Sequence, residues 1–297
     1  MPATAGLQPR LPGLPELRIS GIAGAATFKR LRPWVSDAGG CVSVQSRTNG
    51  QTPVLELRDL CKAFGGLRAV NSVSLKIMPG DRKAIIGPNG AGKTTLFNLI
   101  SGIFPATSGQ VLLFGRDVTS WPSHRRANLG MARTFQVTSL FPKLTVLDNV
   151  VLAIKGGRAS KFVMWRLLSS YRDVYDKART LLERAAFLDR KDTEVRYLSH
   201  GEQRQLEIVL GLASDPDILL LDEPAAGLSS GESAEMARFL QGLDRKMAIL
   251  LIEHDMDIVF DVADEISVLH FGEVLESGSA ERIRSSAKVQ EIYLGAG

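Results

Sequence analysis

The sequence predicts an α/β fold interrupted by a helical insertion, and three observations carry that expectation. From residue 54 onward, strand-like runs alternate with helix-like ones. One short apolar run, Ala84-Ile85-Ile86, passes directly into a glycine-rich loop and then a helix. Between residues 145 and 190 the texture changes to long amphipathic segments with little strand character. Alternation of this kind produces layered α/β architectures.

The elements follow in order. Residues 1–53 are rich in Pro, Gly, Ala and Ser and hold no helical or strand period. Pro9, Pro12 and Pro15 cluster early, and no apolar run precedes a small-residue cleavage site. A flexible extension is expected there, with structure beginning near Val54. Residues 54–57 and 70–77 alternate as strands, and Pro79-Gly80-Asp81 reads as a turn. A helix is expected over 95–100, stopped near Gly102, and a strand over 111–114, closed by Gly115. Residues 171–187 carry their charges along one face of a helix. Strand-like runs return at 218–221, 248–252 and 266–269.

Composition narrows the function. The chain has 297 residues, 44% hydrophobic and 23% charged, which excludes disorder throughout. No stretch approaches the ~20 apolar residues that a membrane-spanning helix needs. Cys41 and Cys61 are too few for a disulfide scaffold, and no CxxC pair suggests zinc. The net charge of +4 lies wholly in residues 1–53, where six basic residues face two acidic ones. Residues 54–297 balance, with 30 of each sign, and so present no electrostatic footprint for nucleic acid.

The sharpest chemical signal is Gly87-Pro88-Asn89-Gly90-Ala91-Gly92-Lys93-Thr94, followed by Thr95. Glycines let the backbone wrap a phosphate with its N–H groups pointing inward. The helix that follows presents its positive end to the same anion. Lys93 can reach the β- and γ-phosphates, and the Thr94 hydroxyl can ligate Mg²⁺. The strand before and the helix after make this a nucleoside triphosphate site. A second acidic element is needed, and Ile218-Leu219-Leu220-Leu221-Asp222-Glu223 supplies it. Four apolar residues bury a strand and deliver Asp222 to its C-terminal end, where ligands bind in such sheets. Asp222 suits Mg²⁺, and Glu223 can polarise the attacking water. Leu198-Ser199-His200-Gly201-Glu202-Gln203 precedes a helical run, and Ser199 with Glu202 makes a capping box.

Taken together, this set resembles the ABC-type ATPases, whose signature Leu-Ser-Gly-Gly-Gln stands shortly before the acidic strand. Here His200 replaces Gly and Glu202 replaces Gln, while Ser199 and Gly201 are kept. The resemblance implies a P-loop NTPase core with a small β subdomain and a helical subdomain over about 137–212. It implies that Ser199, His200, Gly201 and Glu202 face the ATP held by a second subunit. It assigns Gln136, in Arg133-Thr134-Phe135-Gln136, to the loop that senses Mg²⁺ and the γ-phosphate, and His254 to the switch histidine. Phe64 corresponds to the aromatic that stacks on adenine, with core packing as its other reading. Ser229, in Ala226-Gly227-Leu228-Ser229, stands where Asn or Asp is commoner. Within the family, Phe64-Gly65-Gly66-Leu67-Arg68-Ala69-Val70, Glu253-His254-Asp255-Met256 and Ile292-Tyr293-Leu294-Gly295 look like the ATPase subunits of branched-chain amino acid importers.

That likeness implies ATP and Mg²⁺ as cofactors and a second ATPase subunit, identical or sister, as the nearest partner. It further implies two membrane permeases, an indirectly linked periplasmic binding protein, and a peripheral place on the cytoplasmic face of the inner membrane. Urea-importer and lipopolysaccharide-export ATPases share parts of these motifs. A soluble ABC ATPase of DNA repair or translation is the competing class. Phe141, Leu144 and Val146 follow the Gln136 loop and either line a groove for a permease helix or pack in the core.

Overall fold

A computed structural model describes residues 52–134, 140–156 and 172–294. The expected N-terminal extension up to residue 51, and Gln136, lie outside the described residues.

Two sheets form from short-range hairpins and longer crossovers. The first holds β1 (Leu55–Phe64), β2 (Leu67–Ile77), β4 (Ser108–Leu113) and β5 (Arg116–Asp117), all antiparallel, in the order β2-β1-β4-β5. β1 runs well past the alternating stretch that predicted it. Beyond Leu57 its register slips against β2, and Asp59 takes φ +44°, so the simple alternation is lost where charged residues face solvent. The second sheet holds β3 (Arg82–Ile86), β6 (Met131–Arg133), β7 (Ile218–Asp222), β8 (Ala248–Ile252), β9 (Glu265–His270) and β10 (Glu273–Gly278). Its order is β10-β9-β3-β8-β7-β6; β10 is antiparallel to β9 and every other pair is parallel.

The central strands β7 and β8 are apolar up to Asp222 because both faces are covered. Ile85, Leu220, Leu250 and Ile252 point into a core shared with β1, β2, β4 and helix α1 (Lys93–Ile100). Their neighbours Ala84, Ile86, Leu219, Leu221, Ile249 and Leu251 point the other way. There they meet Met236, Ala237 and Leu240 of α6 (Ser230–Gly242) and Ile258, Val259 and Val262 of α7 (Met256–Val262). Each such side chain contributes about 1.5–3 kcal/mol on burial, so the sheet ends are held by a core rather than by the loops themselves.

A third core is purely helical. It joins α3 (Val146–Gly156), α4 (Arg172–Arg184) and α5 (His200–Leu212) through Val146, Val150, Ile154, Ala178, Leu182, Leu206 and Val209. Val146 is thereby a core residue, Leu144 is half-buried, and Phe141 is exposed. Several elements went unforeseen, among them β5, β6, β10 and the helices α2 (Ser123–Asn128), α6 and α7. β6 is only three residues long, and β10 interleaves charges on the sheet edge, so neither shows a clear period of two. Among the described residues no helix is long and apolar enough to cross a membrane.

The far end of α1 is fixed by a cation. The buried guanidinium of Arg126, in α2 (Ser123–Asn128), donates to the carbonyls of Leu99, Ile100, Thr119 and Trp121. Burial draws its pKa down to about 10, so it remains charged at neutral pH. A positive charge at a helix C-terminus complements the dipole there, which leaves the opposite end of α1 to the site.

Candidate functional site

Since β3, β8 and β7 lie side by side and parallel, their C-terminal ends share one edge of the sheet. The loop after β3 is shaped by two close approaches. A Cβ on Gly87 (φ +152°) would lie 2.1 Å from the Leu269 carbonyl oxygen, and one on Gly92 (φ +101°) 2.2 Å from that of Ala69. Only glycine fits at either position. Ala91 accepts a hydrogen bond from the Gly272 amide at 2.9 Å, tying the loop to the β9–β10 turn. Helix α1 starts directly after Gly92 with no side-chain cap and no acidic residue in its first turn. Its leading amides are therefore aimed at the site.

Lys93 is buried, and its Nζ donates to the carbonyl oxygens of Gly87 at 2.6 Å and Pro88 at 3.0 Å. Burial pulls its pKa down, opposed by the charges of Glu223 and Asp222. Thr94 is exposed at the second position of α1, and Thr95 is half-buried after it. Pro88, Asn89 and Gly90 form the outer rim of the same loop.

Asp222 ends β7 and is buried. Its Oδ2 accepts from the guanidinium of Arg133 at 2.8 Å, and Arg133 also donates to Asn98 Oδ1 and Ser101 Oγ at 2.7 Å. Oδ1 of Asp222 is buried without a hydrogen-bond partner. An orphaned carboxylate oxygen is costly and is the donor a hard divalent cation takes up, so the site fits Mg²⁺. Glu223 follows in a left-handed backbone conformation (φ +49°), and its amide donates to the Ile252 carbonyl at the end of β8, at 2.9 Å. Two residues further along, His254 exposes its ring, with Nδ1 3.7 Å from Glu253. Lys93, Asp222, Glu223 and His254 are thus gathered at neighbouring strand ends.

Phe64 sits at the tip of β1, 45% exposed, edge-on to Phe104 with ring centroids 5.7 Å apart. That exposure removes the core-packing reading, and the hairpin it tips reaches the phosphate loop through Ala69.

The start of α5 lies elsewhere. Ser199 accepts from the Glu202 amide at 3.2 Å, and Glu202 accepts from the Ser199 amide at 2.8 Å. Gly201 donates its amide to Glu232 Oε1 at 3.2 Å, and His200 lies against Gly227. Glu232 also closes a second capping box with Ser229 at the head of α6. Those amide and hydroxyl bonds hold the Glu232 carboxyl below the usual carboxylate range. Ser229 caps a helix, a task that Asn or Asp performs equally well. Among the described residues no hydrogen bond joins Ser199, His200, Gly201 or Glu202 to the phosphate loop or to Asp222.

Sequence reasoning gave no role to Arg133, Glu232 or Glu253, all of which contact this machinery. The available signal was an ionisable residue directly after a buried strand, Glu253 after the five apolar residues of β8; Arg133 lies in β6, too short to be read.

Residues 70–226, just over half of the chain, match the family model described as ABC transporter. The chain is 39% identical over 252 residues to the high-affinity branched-chain amino acid transport ATP-binding protein LivG of Escherichia coli, covering 82% of this chain and 98% of that one. It is 36% identical over 250 residues to BraF of Pseudomonas aeruginosa, with the same coverage. Among solved structures, the ADP conformation of MJ1267, an ATP-binding cassette of an ABC transporter, superposes with a TM-score of 0.72 at 29% identity, covering 82% of this chain and 100% of that one. With a glycine loop before α1, an acidic strand end beside it and likeness of this extent, the chain belongs to the ABC transporter family, as one of its ATP-hydrolysing cassettes.

Proposed function

We propose that this cassette powers an importer of branched-chain or other hydrophobic amino acids, working as half of a head-to-tail ATPase pair. Similarity to LivG and BraF across nearly their whole length supports the substrate class. One observation supports the pairing: the start of α5 bonds to α6 of its own chain, and among the described residues none of its hydrogen bonds reaches Lys93, Asp222 or Glu223. A second cassette, identical or sister, would bring its own α5 start to the phosphates held here.

In that arrangement residues 87–95 cradle the triphosphate and Phe64 stacks on adenine. Ser199, His200, Gly201 and Glu202 meet the partner's nucleotide. Mg²⁺, when bound, neutralises charge building on the phosphate oxygens. Asp222 through Oδ1, the Thr94 hydroxyl and Gln136 would hold it. Glu223 takes the proton from the attacking water, and His254 acts beside it as the switch residue. Grip on the γ-phosphate favours the closed pair and hydrolysis releases it, an equilibrium shifted by differential affinity. The helical unit of α3, α4 and α5 carries this motion to two permeases at the cytoplasmic face of the membrane, with a periplasmic binding protein beyond them. Of the three apolar residues after Gln136, exposed Phe141 is the one suited to that contact, and buried Val146 is not.

Glu223→Gln tests the reading. ATP binding should persist while turnover falls by about a hundredfold or more, and a nucleotide-bound pair should accumulate in gel filtration. Normal hydrolysis by this variant, or full activity from a strictly monomeric preparation, would overturn it.

A further inference from the structure

Glu253 is the most deeply buried carboxylate among the described residues, with no exposed surface. It sits immediately after β8, between the last apolar residue of the strand and His254. Nδ1 of the exposed His254 ring lies 3.7 Å from its Oε2. Burial raises its pKa, and three backbone amides oppose that. A buried carboxylate without a Lys or Arg partner is costly unless hydrogen bonds offset the loss of water.

The arrangement of those bonds gives the group its purpose. Oε1 accepts from the Ala225 amide at 2.8 Å, in the turn that begins with Glu223. Oε2 accepts from the amides of His254 at 3.1 Å and Asp255 at 3.5 Å. The two oxygens therefore serve two different loops, and both loops offer only donors. A carboxylate is an acceptor on each side, whereas a carboxamide of the same shape must turn its NH₂ toward one of them. Beyond the β7–β8 ladder, the Glu223 amide also joins the two segments, donating to the Ile252 carbonyl. It holds the left-handed Glu223 at the start of its turn and leaves the Ala225 amide to Glu253.

We propose that Glu253 is a positioning residue that clamps the turn carrying Glu223 to the loop carrying His254, fixing the offset between the two. The inference rests on the reading that Glu223 and His254 serve hydrolysis. It adds that their spacing is set by a third acid that never touches ATP. The phosphate loop contributes nothing to the clamp, so nucleotide affinity and turnover should respond differently to its loss.

The test is Glu253→Gln in the full chain, with Glu253→Asp beside it. Affinity is read with a fluorescent ATP analogue, and kcat and KM by phosphate release. Glu253→Gln should lower kcat by about tenfold to a hundredfold, the scale of a misplacement near 1 Å, with ATP affinity unchanged. Glu253→Asp keeps an acceptor on both sides and should recover part of that loss. If Glu253→Gln does not fold, the same split between kcat and affinity in Glu253→Asp decides the matter. Unchanged kcat, or kcat and affinity falling together with Asp no better than Gln, overturns the clamp. Glu223→Gln and His254→Ala run in parallel: should both turn over normally, the hydrolytic reading itself fails, whatever Glu253 does.

Discussion

Helices α1 and α5, the two proposed to meet nucleotide, start in opposite ways. α1 follows a left-handed glycine, with no side-chain cap and no acid in its first turn. α5 follows Ser199, closes a capping box with Glu202, and has the Gly201 amide occupied by Glu232 from α6. A bare start leaves its amides and the positive pole of the helix for a ligand. A capped start has already satisfied part of that demand with its own carboxylates. On the proposed function, this difference would let one chain hold a triphosphate firmly at α1 while α5 engages a partner's nucleotide only when two cassettes close. At α1 the phosphate meets unfilled donors, and at α5 it must add to a network that is stable without it.

The comparison can be broken most severely at Gly92. In Gly92→Ala the new methyl would press on the Ala69 carbonyl, which belongs to a paired strand and cannot yield. Together with the left-handed backbone, this should cost about 3 kcal/mol or more in chemical denaturation and abolish ATP binding. Retention of both would show that the bare start is not imposed by close packing. Ser199→Ala removes the cap of α5, an exposed feature, and should cost about 1 kcal/mol. ATP affinity at α1 should stay intact while turnover declines. Equal losses of affinity and turnover would mean the two starts are not separate. The smallest stability change is expected for Gly201→Ala. Here the methyl meets Oε1, Cβ and Cγ of Glu232 at 3.1–3.2 Å, so the side chain must give by a few tenths of an ångström. The gain of up to ~1 kcal/mol from replacing a helical glycine should nearly cancel the cost of moving it. Turnover that falls despite unchanged stability would sharpen the view that Glu232 and Gly201 order the start of α5.

What could be read ahead of the structure divides along the same line. The phosphate loop, the acidic strand end and the capping box are local: each is set by residues within a turn or two of one another. β7 and β8 were visible because both faces are buried, which makes the strand an unbroken apolar run. β6 was hidden because three residues hold no period, and its pairing with β7 is settled 85 or more residues downstream. Arg133 reaches Asp222 across 89 positions and Glu253 reaches Ala225 across 28. No local pattern announces such pairs, because a charged residue in a strand looks alike whether it meets solvent or a buried acid.

The amino-acid order alone determined that this chain folds as an α/β cassette and cleaves a nucleotide, because close backbone approach to phosphate admits only glycine and a metal-facing carboxylate must end a buried strand. Folding in three dimensions decided the rest. It gave the orphaned oxygen to Asp222 and the exposed ring to Phe64, and it bonded the α5 start to Glu232 of α6. Those outcomes depend on which distant groups become neighbours once the sheet has formed, and burial then makes every unmatched charge or amide seek a partner wherever the packing provides one.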